Sequence, residues 1–147
     1  MKASHETSSR ELSEVRKGEI SIYRGELSPN VIAEQTLKLT TVFPALRDEF
    51  INVLIERIVA NGFTNERLID AVDNLIDNFK YPNPSVADIV GFDCRIKLYS
   101  HSDYSNEIFS KKAVDADFCL HWIEDRLFWV KISDCERFNF KPNKEKL

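Results

Sequence analysis

Thr64-Asn65-Glu66-Arg67-Leu68-Ile69-Asp70-Ala71-Val72-Asp73-Asn74-Leu75-Ile76-Asp77-Asn78-Phe79 decides the fold class. Leu68, Ile69, Val72, Leu75, Ile76 and Phe79 recur every three or four residues, so they share one face of a helix, and such a face has to be buried. Thr64 is a cap residue whose hydroxyl accepts from the orphan N–H groups of the first turn. Glu66 stands where the helix dipole favours an acid. Asp70, Asp73 and Asp77 recur at the same spacing, either as a solvated face opposite the apolar seam or as a surface that receives a basic partner or a cation.

Upstream, Leu46, Phe50, Val53, Leu54 and Ile58 place a second helix over 44–61, opened by Pro44 and closed by Gly62, the residue that adopts a left-handed conformation at least cost. Only Gly62 and Phe63 separate the two, which predicts an antiparallel helix hairpin with a shared seam. Ser28-Pro29 signals an earlier helix carrying Val31, Ile32, Leu37 and Leu39, weakened at its end by Thr40-Thr41. Downstream, Lys80-Tyr81-Pro82-Asn83-Pro84 breaks the chain, because two prolines remove donors and extend the residues before them. Ser85 then caps a short helix of Val86, Ala87, Ile89 and Val90, with Asp88 placed for a capping box and Gly91 as the stop.

Beyond Phe92 the texture changes. Arg95-Ile96-Lys97-Leu98-Tyr99 alternates like a strand, and the polar stretch 100–112 reads as a loop or connector. Phe118-Cys119-Leu120-His121-Trp122-Ile123 and Leu127-Phe128-Trp129-Val130-Lys131-Ile132 flank Glu124-Asp125-Arg126, the pattern of a β-hairpin. The expected architecture is α+β. It comprises a flexible N-terminal arm (1–27), a helical bundle (28–93), a small antiparallel hairpin or sheet in a β-rich part (94–136) and a basic tail (137–147). Within the arm, Glu19-Ile20-Ser21-Ile22-Tyr23-Arg24 alternates and suits a short strand. If the helical and β-rich parts form two lobes, they join near 100–112.

A chain of 147 residues with 43% hydrophobic residues buries one domain-sized core. Twenty basic against 24 acidic side chains give a net charge of −4, which supplies no global field for nucleic acid, so any phosphate contact has to be local. Three irregularly spaced cysteines, the absence of a run of ~18 apolar residues, and a polar start without a secretory core predict a cytoplasmic protein with no membrane contact.

Candidate chemistry is sparse. Among Cys94, His101, Cys119, His121 and Cys135, only Cys119 and His121 are close, and on a strand they share a face. A structural zinc site needs two such pairs, and a buried structural thiol beside a half-exposed imidazole is the better reading of these two. No nucleophile elbow surrounds any cysteine or serine, and the four glycines are too scattered to cradle a phosphate. We therefore expect no catalytic residue, metal or cofactor. The rings Trp122, Phe128, Trp129, Phe138 and Phe140 stand among Lys131, Arg137, Lys141, Lys144 and Lys146, as in surfaces that bind single-stranded nucleic acid. Trp122, Trp129, Lys131, Arg137, Lys141, Lys144 and Lys146 are the candidate contacts. The competing reading uses the rings as core, because a small sheet must bury one face.

The stretch from Phe43 to Asp93 resembles the helicase loaders of phages and mobile elements. Phe43-Pro44 opens a helix, Gly62-Phe63-Thr64 and Leu68-Ile69-Asp70-Ala71-Val72 follow, and Tyr81-Pro82-Asn83-Pro84-Ser85-Val86-Ala87-Asp88-Ile89-Val90 matches their Pro-rich, Ala-Asp-Ile run. The overall texture also resembles proteins carried by phages and conjugative elements of gut Bacteroidetes. The resemblance implies a non-enzymatic adaptor in DNA replication whose partner is a replicative helicase or initiator protein, with single-stranded DNA as a further ligand. Tyr81, Pro82, Asp70, Asp73 and Asp77 are the candidate partner contacts. The alternative is a structural or protein-interaction component of such an element without DNA contact.

Overall fold

The computed structural model describes residues 18–80 and 83–145. Residues 1–17, most of the expected arm, lie outside the described residues, as do Tyr81, Pro82 and Lys146. The fold is α+β, divided into two compact units. One is the helical segment Tyr23–Asp93. The other is built from the two ends of the chain, Met1–Ile22 with Cys94–Leu147.

Four helices make the first unit: α1 (Pro29–Val42), α2 (Asp48–Ala60), α3 (Asn65–Asn78) and α4 (Val86–Val90). Each cap read from the sequence is formed. Ser28 accepts from the Val31 N–H and Thr64 from the Arg67 N–H, while Ser85 and Asp88 close a reciprocal capping box. Gly62 is left-handed at φ 67°, and a Cβ on Gly91 would stand 2.9 Å from the Ala87 carbonyl. One core joins Leu39, Phe43, Leu54, Ile58, Phe63, Leu68, Val72, Leu75 and Ile89, so the apolar stripes of α2 and α3 are buried in the same cluster. The closest backbone approaches of α3, however, are to α1 and α4. The second helix starts at Asp48 and not at Pro44. The Leu46 N–H donates to the Phe43 carbonyl, closing a turn that delivers Leu46 to the core, and Asp48 and Glu49 then meet the helix dipole. At the end of α1, Thr40 and Thr41 turn their hydroxyls onto the Leu37 carbonyl, and the helix continues to Val42.

Arg67 locks this unit. Its side chain is buried. Nε donates to the Phe92 carbonyl at 2.7 Å and Nη2 to the Val90 carbonyl at 3.1 Å, the guanidinium lies 3.9 Å from the centre of the Phe63 ring, and Asp93 stands 3.8 Å from Nε. The end of α4 leaves carbonyls without helical partners, and a charged planar fork is the side chain best shaped to serve several at once. Residues 23–28, read as arm and helix start, belong to the unit as well. The Tyr23 hydroxyl donates to Asp70, the Asn65 N–H to the Glu26 carbonyl and the Ser28 N–H to Asn65 Oδ1.

In the second unit, β1 (Glu19–Ser21) pairs antiparallel with β2 (Arg95–Lys97), Ile20 opposite Ile96. Strands β3 (Phe118–Ile123) and β4 (Arg126–Lys131) form the hairpin, with Cys119 opposite Val130 and Trp122 opposite Leu127. Its turn is Glu124-Asp125 alone, Glu124 being left-handed at φ 54°, and Arg126 is already paired with Ile123. Tyr99 exchanges both backbone hydrogen bonds with Trp129, which links β2 to β4. The expected loop 100–112 is instead a helix, α5 (His101–Phe109), held by a Ser100–Asp103 capping box. A second unexpected helix, α6 (Ile132–Phe138), ends on left-handed Asn139. The chain passes between the units at Ile22–Tyr23 and Asp93–Cys94.

Candidate functional site

The hairpin has two faces because side chains alternate across strands. Cys119, Ile123, Phe128 and Val130 pack with Ile20, Ile96, Leu98 and Cys135. On the other face Phe118 and Trp129 pack with Tyr99, Ala113, Tyr104 and Ile108. The sequence read the rings as core or as binding face; Phe128, Phe138 and Phe140 pack against one buried cluster and Trp129 against another. Trp129 is half-buried, stacked on Tyr104 with centroids 4.8 Å apart and planes at 13°, while its edge meets His101. Trp122 is also half-buried, and Leu120, two residues before it, is exposed.

Tail residues extend this surface. The Trp122 N–H donates to the Asn143 carbonyl at 2.9 Å, Asn143 Nδ2 returns a bond to the Trp122 carbonyl, and the Asn143 N–H donates to His121 Nδ1 at 3.0 Å. Exposed Lys141 and Lys144 are thereby anchored beside the outer edge of β3. Lys131 and Lys97 direct their ammonium groups over the Tyr99 ring, at 5.7 and 4.6 Å. Arg137 belongs to α6 and stacks over Phe138 at 4.9 Å. Of the candidate nucleic-acid contacts, Trp122, Lys141 and Lys144 therefore come together along one edge, Trp129 and Lys131 gather around Tyr99, and Lys146 lies outside the described residues. Sequence reasoning missed Tyr104, Tyr99 and Lys97. The signal that marks Tyr104 is the Ser100-x-x-Asp103 capping box followed by Tyr104 and Ile108 four residues apart.

The hydrogen bond from Asn143 fixes the chemistry of His121. Nδ1 accepts, so the buried ring is a neutral imidazole lying edge-on to Phe140 at 5.4 Å. Burial pushes the Cys135 thiol up to about 11, with nearby Cys119 and Asp134 adding to the rise, so it is protonated and poorly nucleophilic at neutral pH. The Tyr104 hydroxyl donates to Asp115, whose carboxylate raises the phenol above its ordinary value. Among the described residues no three His, Cys, Asp or Glu side chains converge on a metal-sized site. No helix among them is long and apolar enough to cross a membrane.

No family model, curated protein or solved structure matches the chain. Function has to be argued from these surfaces alone. On the helical unit, Asp70 accepts from Tyr23 and Asp73 pairs with Lys38 at 2.5 Å, whereas Asp77 is exposed. Two of the three candidate carboxylates thus tie α3 to its own unit. Tyr81 and Pro82 lie outside the described residues.

Proposed function

We propose that this chain is a non-enzymatic accessory protein of DNA replication in a phage or mobile element, an adaptor of the helicase-loader type that binds a replicative helicase or initiator and single-stranded DNA. The observation that carries this reading is the division of charge between the units. Tyr23–Asp93 holds six basic against eleven acidic side chains, while the remaining residues hold 14 against 13. An acidic helical surface repels phosphate and suits a basic protein surface. The nearly neutral unit supplies half-exposed rings beside Lys131, Lys141 and Lys144, the combination that takes up single strands by stacking and phosphate contact.

Both tryptophans lie in the second unit, so their fluorescence reports on that surface directly. Titration with a thymidine oligonucleotide at low salt should quench it, and the affinity should fall steeply as salt rises. An unchanged spectrum removes the DNA-binding half of the proposal. Co-elution with a cognate replicative helicase tests the other half, and its absence at micromolar concentration removes the adaptor role. The second reading, a protein-interaction component without DNA contact, is favoured by the engagement of Trp129 with Tyr104 and of Arg137 with Phe138, which commits two of the candidate contacts to the unit's own packing.

A further inference from the structure

Strand β3 (Phe118–Ile123) is the outer strand of the hairpin, and the bonds around it show which of its backbone groups face away from β4. In an antiparallel ladder each residue turns its N–H and C=O to the same side, and successive residues alternate. Trp129 gives both of its backbone bonds to Tyr99, so Leu120, directly opposite Trp129, turns its own two groups outward. The residues two positions away agree with this phase. The Phe118 N–H donates back to the Asp115 carbonyl, and the Trp122 N–H donates to the Asn143 carbonyl of the tail. Between these engaged positions the Leu120 N–H and C=O have no hydrogen-bond partner among the described residues, and Leu120 is 39% exposed.

Proteins blunt exposed strand edges with charged side chains, prolines or bulges, because an open edge is a template for another strand. Strand β3 has none of these. Phe118-Cys119-Leu120-His121-Trp122-Ile123 contains no acid, lysine, arginine or proline, and it pairs with β4 over six residues without a bulge. On the face that carries Leu120, its neighbours Trp122 and Leu127 are half-buried and uncharged. A residue that presents one donor and one acceptor side by side is complementary to itself across a two-fold axis, since each copy's N–H then meets the other's carbonyl. With no charge on the strand, nothing on β3 repels its own copy.

We propose that β3 pairs antiparallel with β3 of a second copy of this chain, about a two-fold axis at Leu120. The Leu120 N–H of each copy donates to the Leu120 carbonyl of the other, the two leucine side chains cover each other, and Trp122 comes opposite Phe118 of the second copy. This axis also sets the tail lysines Lys141 and Lys144, beside Trp122, toward Asp115 and Asp117, which precede Phe118 in the second copy, so the two tails do not oppose each other. The pairing requires no DNA and does not rest on the adaptor reading. The test is sedimentation of the full chain over a concentration series, with amide hydrogen exchange read in parallel. The mass should rise from one chain toward two between about 10 µM and about 1 mM, and the Leu120 amide should exchange more slowly at the upper end. Leu120→Lys and Leu120→Asp change an exposed side chain whose backbone does not serve β4, and each should weaken self-association about tenfold or more by setting like charges across the axis. An equimolar mixture of the two variants should restore it, because opposite charges then face each other. A single-chain mass up to about 1 mM, or exchange at Leu120 that does not depend on concentration, overturns the proposal. So does a dimer that Leu120→Lys leaves intact, which would place the contact elsewhere. Slowing of the Leu120 amide by an unrelated extended apolar peptide, while the chain stays monomeric, likewise overturns it and gives the edge to another protein's strand.

Discussion

Replacing Arg67 by Met tests what holds the helical unit closed. Methionine keeps an unbranched apolar stem beside Phe63 but removes the donors now given to the Phe92 and Val90 carbonyls, and it deprives the largely buried Asp93 of its cation. A hydrogen bond to a charged group contributes about 1.5–3 kcal/mol, and removing one member of a buried charged pair costs about 3–5 kcal/mol. These terms overlap because one side chain makes all the contacts, so the expected total is about 3–4 kcal/mol. With a urea dependence of about 1 kcal/mol per M for a unit of this size, the midpoint followed by far-UV circular dichroism falls by about 3 M. Arg67→Lys keeps the charge but cannot reach two carbonyls in the plane of a fork, and it should lie between Met and wild type. A loss below about 0.5 M for the Met variant would show that the carbonyls at the end of α4 find water or other donors, and that Arg67 packs without bridging.

Leu54→Ala, at a fully buried position of the same core, should cost about 2–5 kcal/mol in thermal or urea unfolding, and a smaller loss would mean that α2 is not packed as described. Cys135 should resist alkylation at neutral pH more strongly than the half-buried Cys94 and Cys119. Because its folded value of about 11 lies above the ordinary 9.0, the native state holds a proton that the unfolded state releases first, so stability should decline as pH rises from 9 through 11. A rise in stability over that window would contradict its burial. His121→Phe removes the acceptor of the Asn143 N–H, and tryptic cleavage after Lys144 should then speed up several-fold in limited proteolysis. Equal cleavage rates would show that the tail is held by Trp122 alone.

The elements legible in the sequence were those whose signals agree at several levels. Helix α3 combines a Thr64 cap, an uninterrupted apolar stripe and a left-handed glycine before it, and α4 has both halves of its capping box written in Ser85 and Asp88. The hairpin was legible because aromatic and branched residues crowd both strands around two turn-forming acids. Helix α5 was hidden because its buried side is narrow. Tyr104 and Ile108 are the side chains it contributes to the cluster, and the rest of its surface is polar. Helix α6 was hidden for another reason: Ile132 continues the alternation of β4, and only tertiary packing of Cys135 and Phe138 turns the chain there. At the candidate surface the residue types were readable from composition. Their grouping was not, since Asn143 reaches Trp122 across more than 20 positions of sequence through bonds that no local pattern encodes.

The ladder between β1 and β2 joins segments that about 70 residues of chain separate, and Ile22 donates to Cys94 directly beyond it. Closing a flexible loop of that length costs about 4 kcal/mol of chain entropy, more than three residue pairs readily repay. Once the helices have condensed, their two ends already lie side by side and the cost has been met by other contacts. Order of assembly is therefore inscribed in the connectivity: on a ribosome the first strand must wait, unpaired, until the whole helical insert has been made and has collapsed, and only then does it find its mate.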